Sequence, residues 1–179
     1  MRIVKLTQKE RENILENLLK RSPNQYSKFE TTVRDILDKV KAEGDQALFA
    51  YTEQFDGVKI TEETFRVTEE EIAEAYEKVD SHLIEIIRKA LVNIRDYHQK
   101  QVRYSWFDSK PDGTLLGQKV TALERVGVYV PGGKAVYPSS VLMNIVPAKV
   151  AGVERIVMTT PPGKDGKVYP ITLVAAKVA

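Results

Sequence analysis

The chain has 179 residues, 42% of them apolar and 29% charged, with a net charge of +2, a size that suits one domain or one domain and part of another. So small a net charge gives no electrostatic reason to bind nucleic acid or an anionic membrane. There is no cysteine, which excludes disulfides and thiolate zinc sites, and Met1-Arg2-Ile3-Val4-Lys5 lacks an apolar signal core, so a soluble cytoplasmic chain is expected.

Thr7-x-x-Glu10 has the capping-box pattern, and Ile14, Leu15, Leu18 and Leu19 form one stripe, predicting a helix over 8–20 that Ser22-Pro23-Asn24 breaks. Val33, Ile36, Leu37 and Val40 carry the next helix, which Gly44-Asp45 separates from a third with Ala47, Leu48, Tyr51 and Phe55 on its stripe. After the Asp56-Gly57 turn, Val58 to Ile60 and Phe65 to Val67 read as short strands. A second capping box, Thr68-x-x-Glu71, leads Ile72, Tyr76 and Val79. Asp80 or Ser81 then opens a longer helix with Leu83, Ile87, Ala90, Leu91, Ile94 and His98 on one face.

His98 shares its face with no carboxylate or second histidine, so it reads as a hydrogen-bonded core or boundary residue, and His82 as solvated. The basic and aromatic segment Tyr97 to Phe107 could stack on nucleotides, but the low net charge favours a helix end whose aromatics are buried in an interface. Pro111-Asp112-Gly113-Thr114 is the sharpest turn signal, and a strand is expected over Val120 to Leu123. These signals divide the chain into an N-terminal amphipathic helix (1–22), a helix-rich first region with short strands (23–120) and a region that alternates strand and helix as βαβ units do (121–179).

The third region is organised around Val126-Gly127-Val128-Tyr129-Val130-Pro131-Gly132-Gly133. By the two-residue period Val126, Val128 and Val130 share one face, and Gly127 and Tyr129 the other. Pro131 has no N–H for a ladder and ends the strand. Gly132 and Gly133 permit positive φ and close approach of a ligand to the backbone. Ser139 and Ser140 are placed to cap the helix beginning at Val141, which Pro147 should kink or interrupt. Strand, glycine turn and helix start in that order build anion sites, although Pro-Gly-Gly is also ordinary turn chemistry. Neither G-x-G-x-x-G nor the Walker pattern occurs. Gly152 ends the helix, and Arg155 to Thr160 is a strand expected beside Val126–Val130 in parallel, closed by Pro161-Pro162-Gly163.

Ile171 to Ala179 begins another apolar helix, after which internal analogy expects a third strand. The expectation is therefore a fragment of a longer α/β protein, with one strand edge and the Ile171–Ala179 helix left uncovered.

The stretch 126–135, with Tyr137-Pro138-Ser139-Ser140-Val141-Leu142-Met143, Pro147-Ala148-Lys149-Val150-Ala151-Gly152-Val153 and Thr160-Pro161-Pro162, closely resembles the histidinol dehydrogenases. Upstream, Glu43-Gly44-Asp45-Gln46-Ala47-Leu48, Phe55-Asp56-Gly57 and Ala90-Leu91-Val92-Asn93-Ile94 resemble that family's N-terminal region. The resemblance implies a two-domain α/β fold, of which the chain holds the start of an incomplete Rossmann-like unit. It also implies a homodimer that oxidises L-histidinol to L-histidine in two NAD-dependent steps through the aldehyde, a zinc ion holding the substrate. It assigns Tyr129 to NAD contact, lines the same cleft with Pro131, Gly132 and Gly133, and extends it to Phe55 and Pro161. The family's catalytic glutamate–histidine pair and zinc ligands have no counterpart before Ala179, so this chain carries no catalytic or metal residue and is expected to be inactive alone. The competing reading is a non-enzymatic nucleotide-binding or interaction module.

Overall fold

A computed structural model describes residues 7–8, 27–132 and 135–179. The helix expected over 8–20 therefore lies, beyond its first residue, outside the described residues. The chain divides into two compact units, Met1–Leu48 and Phe49–Ala179. In the first, α1 (Ser27–Glu43) ends where Gly44 takes φ 61° and donates its N–H to Val40 O at 2.8 Å. The division falls inside α2 (Asp45–Asp56).

The second unit contains most of the core. The loop after α2 forms no strand. Val58 is buried and lies against Gly166, while Phe65 N–H donates to Thr61 O at 2.9 Å. The two short strands expected at 58–60 and 65–67 are thus a link and a turn, because neither segment has a paired neighbour. Helix α3 (Glu69–Lys78) starts with the capping box expected from sequence: Glu71 N–H donates to Thr68 Oγ1 at 3.2 Å and Thr68 N–H to Glu71 Oε2 at 2.9 Å. Helix α4 (Ser81–Gln99) is capped by Asp80, whose carboxylate accepts from the His82 and Leu83 N–H groups.

Residues 106–118 depart from expectation. Where a helix end was expected, β1 (Trp106–Ser109) pairs antiparallel with β2 (Leu115–Gln118), Phe107 lying opposite Gly117. The expected strand at 120–123 is irregular; Val120 is instead held by Ser105, whose Oγ accepts the Val120 N–H at 2.9 Å. Pro111 and Asp112 occupy the turn, Gly113 takes φ 85°, and Lys110 N–H donates to Thr114 O at 2.9 Å. That is a three-residue hairpin loop, a type I turn followed by a left-handed glycine.

Strand β3 (Arg125–Tyr129) pairs in parallel with β4 (Arg155–Thr159), as expected, Gly127 opposite Val157 and Tyr129 opposite Thr159. They are connected by α5 (Pro138–Val150), which begins at Pro138 after Tyr137; Ser139 and Ser140 lie in its first turn rather than capping it. Proline suits a first helical position, where no N–H is needed. Pro147 is accommodated within one continuous helix. At the other end Gly152 takes φ 86°, its N–H donating to Lys149 O and that of Val153 to Ala148 O, which satisfies two terminal carbonyls.

Helix α6 (Pro170–Val178) closes the unit, packing against α3, α4 and α5. Thr172, Leu173, Val174, Ala175 and Ala179 are buried, which corrects the expectation of an uncovered C-terminal helix. The core joins Leu173, Val174, Ala175 and Ala179 to Ile84 and Ile87 of α4, Val141, Leu142, Ile145 and Val146 of α5, and Val128 and Val130. One face of the parallel pair is therefore packed. The other, carrying Gly127, Tyr129, Val157 and Thr159, is exposed.

Candidate functional site at the carboxyl end of the parallel pair

The alternation that buries Val128 and Val130 turns the Tyr129 ring out, 61% exposed at the carboxyl end of β3. Pairing runs one residue beyond the strand, Val130 N–H donating to Thr159 O at 2.9 Å, and stops at Pro131. Next comes Gly132, which does not use the positive φ that a glycine permits. Its reason is space. A Cβ here would stand 3.1 Å from Pro161 O and 3.2 Å from Thr160 Oγ1, close enough that those atoms would have to give by a few tenths of an ångström. The chain leaving β3 is thus pressed against the chain leaving β4.

Tyr129, Pro131, Gly132 and Pro161 are accordingly gathered at the carboxyl ends of two adjacent parallel strands, where open α/β sheets bind ligands. Helix α5 follows the turn with no side chain capping its amino end. Gly133 lies outside the described residues. Phe55, 62% exposed, stacks on Tyr51 at the end of α2 with ring centroids 5.5 Å apart. Thr160 took no role in the sequence reading, although it stood in the Thr160-Pro161-Pro162 motif; the backbone approach that makes it part of this site is invisible in a linear pattern.

Among the described residues neither histidine belongs to a ligand set. His82 is exposed, and His98 Nδ1 is 2.7 Å from Gln101 Oε1, a half-buried partnered ring as expected. Among the described residues no group of three or more His, Cys, Asp or Glu could hold a metal ion. No helix among them is long and apolar enough to cross a membrane. The aromatics of 97–107 are largely exposed within this chain, Tyr104 at 81% and Phe107 at 61%.

The family model for histidinol dehydrogenase matches residues 19–179. The histidinol dehydrogenase of Bacillus subtilis (strain 168) is 60% identical over 145 residues, covering 81% of this chain and 34% of the relative. That of Heliobacterium mobile is 52% identical over 164 residues, covering 92% of this chain and 38% of the relative. Among solved structures, the crystal structure of histidinol dehydrogenase from Elizabethkingia anophelis superposes with a TM-score of 0.77 at 33% identity, over 84% of this chain and 34% of that one. The chain spans about a third of the length of the curated relatives it matches.

Proposed function

The chain belongs to the histidinol dehydrogenase family, and from that membership we propose that it forms one wall of the NAD site of an enzyme oxidising L-histidinol to L-histidine in two successive steps. The observation that carries this reading is the packing of Gly132 on Thr160 and Pro161 beside an exposed Tyr129. A ligand can approach that backbone closely, and the Tyr129 ring can lie along it with its hydroxyl free to hydrogen-bond. Phe55 and Gly133 are assigned to the same cleft by family resemblance. In this reading the change of element type near residue 120 marks the start of the NAD-binding domain.

NAD, when bound, accepts the hydride that leaves the alcohol carbon. The chain's own share is to bind and orient: Tyr129 supplies a planar apolar surface, Pro131 a rigid end to the strand, and Gly132 and Pro161 the floor of the turn. The described residues do not fit a zinc site, and no step is assigned to a metal here. The zinc ligands and the catalytic glutamate–histidine pair are proposed to lie outside this stretch, in a cytoplasmic homodimer.

The test measures NADH absorbance with L-histidinol and NAD, in parallel for a polypeptide of the relatives' length carrying this sequence and for the 179-residue chain. Turnover is expected from the first only, and the short chain should hold no stoichiometric zinc. No NADH from either would reject the dehydrogenase reading and favour a non-enzymatic nucleotide-binding module. Sustained turnover by the purified short chain would show that the chemistry had been assigned to the wrong part.

A further inference from the structure

The hairpin β1–β2 is complete as a local structure and incomplete as a surface. Its turn is closed by the Lys110–Thr114 hydrogen bond and the Asp112 carboxylate, and Phe107 lies over Gly117 on the neighbouring strand. Among the described residues the two strands pack substantially on each other and on no helix. Trp106 and Leu116 stand on one face and Phe107 and Leu115 on the other, all four more than half exposed. Together these side chains leave on the order of 400 Å² of apolar surface in water, a patch of the size that marks an interaction site. Strand β2, Leu115-Leu116-Gly117-Gln118, also presents a free edge with neither charge nor proline to keep another strand away.

We propose that this hairpin is an arm that docks on a second copy of the polypeptide, adding its β2 edge to a strand of the partner and burying both of its faces there. The inference rests on the homodimer in the reading above and names the surface that builds it. The area is what a dimer needs. Two copies that exchange arms each bury the arm and an equal surface receiving the partner's arm, which reaches the roughly 800 Å² per partner of a standard interface. A closed two-fold also uses up both free β2 edges, so the assembly stops at two. The net charge of +2 over this stretch adds little repulsion between copies. Because the turn holds the arm in shape beforehand, docking has few groups to order. Substitutions there should act on association rather than on the folding of each copy.

The experiment uses the full-length polypeptide. A photo-crosslinking side chain at Leu115 identifies what covers the arm, and a product of twice the chain mass is expected. Cross-links confined within one chain would show that the rest of the same polypeptide covers the hairpin, and no cross-link would leave it in water; either result overturns the inference. Analytical ultracentrifugation then compares the parent with Leu116→Lys, which sets a charge on a face to be buried. Leu116→Ser replaces that variant if it does not fold, circular dichroism reporting the fold of each. The dissociation constant of the dimer is expected to rise at least about tenfold, the worth of one interface anchor, with the circular dichroism unchanged. An unaltered dimer overturns the inference while leaving the family reading intact. A parent that sediments as a monomer fails the homodimer reading instead.

Discussion

The second unit holds two sheets of two strands each, and they are built on opposite terms. The parallel pair β3–β4 has one face against α5 and the shared core, with Val128 and Val130 buried. In the antiparallel pair β1–β2 all eight residues are exposed, Trp106 at 53% and Leu116 at 61% among them. Apolar side chains stand on both hairpin faces, Trp106 and Leu116 on one and Phe107 and Leu115 on the other. The hairpin is held by its own turn: Thr114 N–H donates to Asp112 at 2.9 Å, which keeps that carboxyl below its usual range. A strand pair thus needs either a packed face or a strong local turn.

The largest effect should come from making one truncation in both regions. Leu142→Ala removes a side chain that is 2% exposed in the core and is expected to cost about 2–5 kcal/mol of unfolding free energy. Leu116→Ala, on the hairpin, should change it by no more than about 0.5 kcal/mol. Denaturant titration of both variants decides this, and equal losses would mean that the hairpin is packed after all.

The turn sharpens the comparison at a single atom. Gly132→Ala places a methyl 3.1 Å from Pro161 O and 3.2 Å from Thr160 Oγ1, so the two exits must part by a few tenths of an ångström, and it should cost about 1 kcal/mol. Gly127→Ala, with nothing within 4 Å of the new methyl, should be neutral or stabilise by about 0.4–1 kcal/mol. The same titration tests both, and a harmless Gly132→Ala would remove the close approach as the reason for that glycine. At Tyr129 the outward face predicts the reverse balance. Tyr129→Ala should weaken NAD binding to the full-length polypeptide by about 1–3 kcal/mol, borrowing the range for stacking on bases. Its stability should stay within about 0.5 kcal/mol. Calorimetric titration showing equal affinity and a lowered unfolding temperature would make Tyr129 a support of the strand only.

The smallest effect concerns the Lys177–Glu69 pair, which joins α6 to α3 at 2.8 Å with both side chains at least half exposed. The Glu69 hydrogen bond raises the lysine above its ordinary value of 10.5. A raised folded value means that the contribution is fully present below 10.5 and is lost as the pH climbs through the folded value. Lys177→Gln should therefore show a slight deficit in unfolding midpoint at neutral pH that disappears in strong alkali. A deficit independent of pH would point to lost side-chain packing instead.

What the sequence determined by itself is what neighbours within about one helical turn can settle. Thr68 and Glu71 cap α3, Asp80 caps α4, Gly152 closes α5, and the 3.6-residue stripes set most helices, because each signal and its partner are close along the chain. The alternation from Val126 to Val130 likewise settled which way Tyr129 faces. Only the tertiary structure decided the rest, because a strand exists through its partner. Segments 58–60, 65–67 and 120–123 have strand-like composition and no partner, whereas Trp106–Ser109 has one in Leu115–Gln118. The site follows the same rule: Gly132 is a glycine because the backbone leaving β4 arrives against it, and a contact between segments so far apart in the chain leaves no period to read.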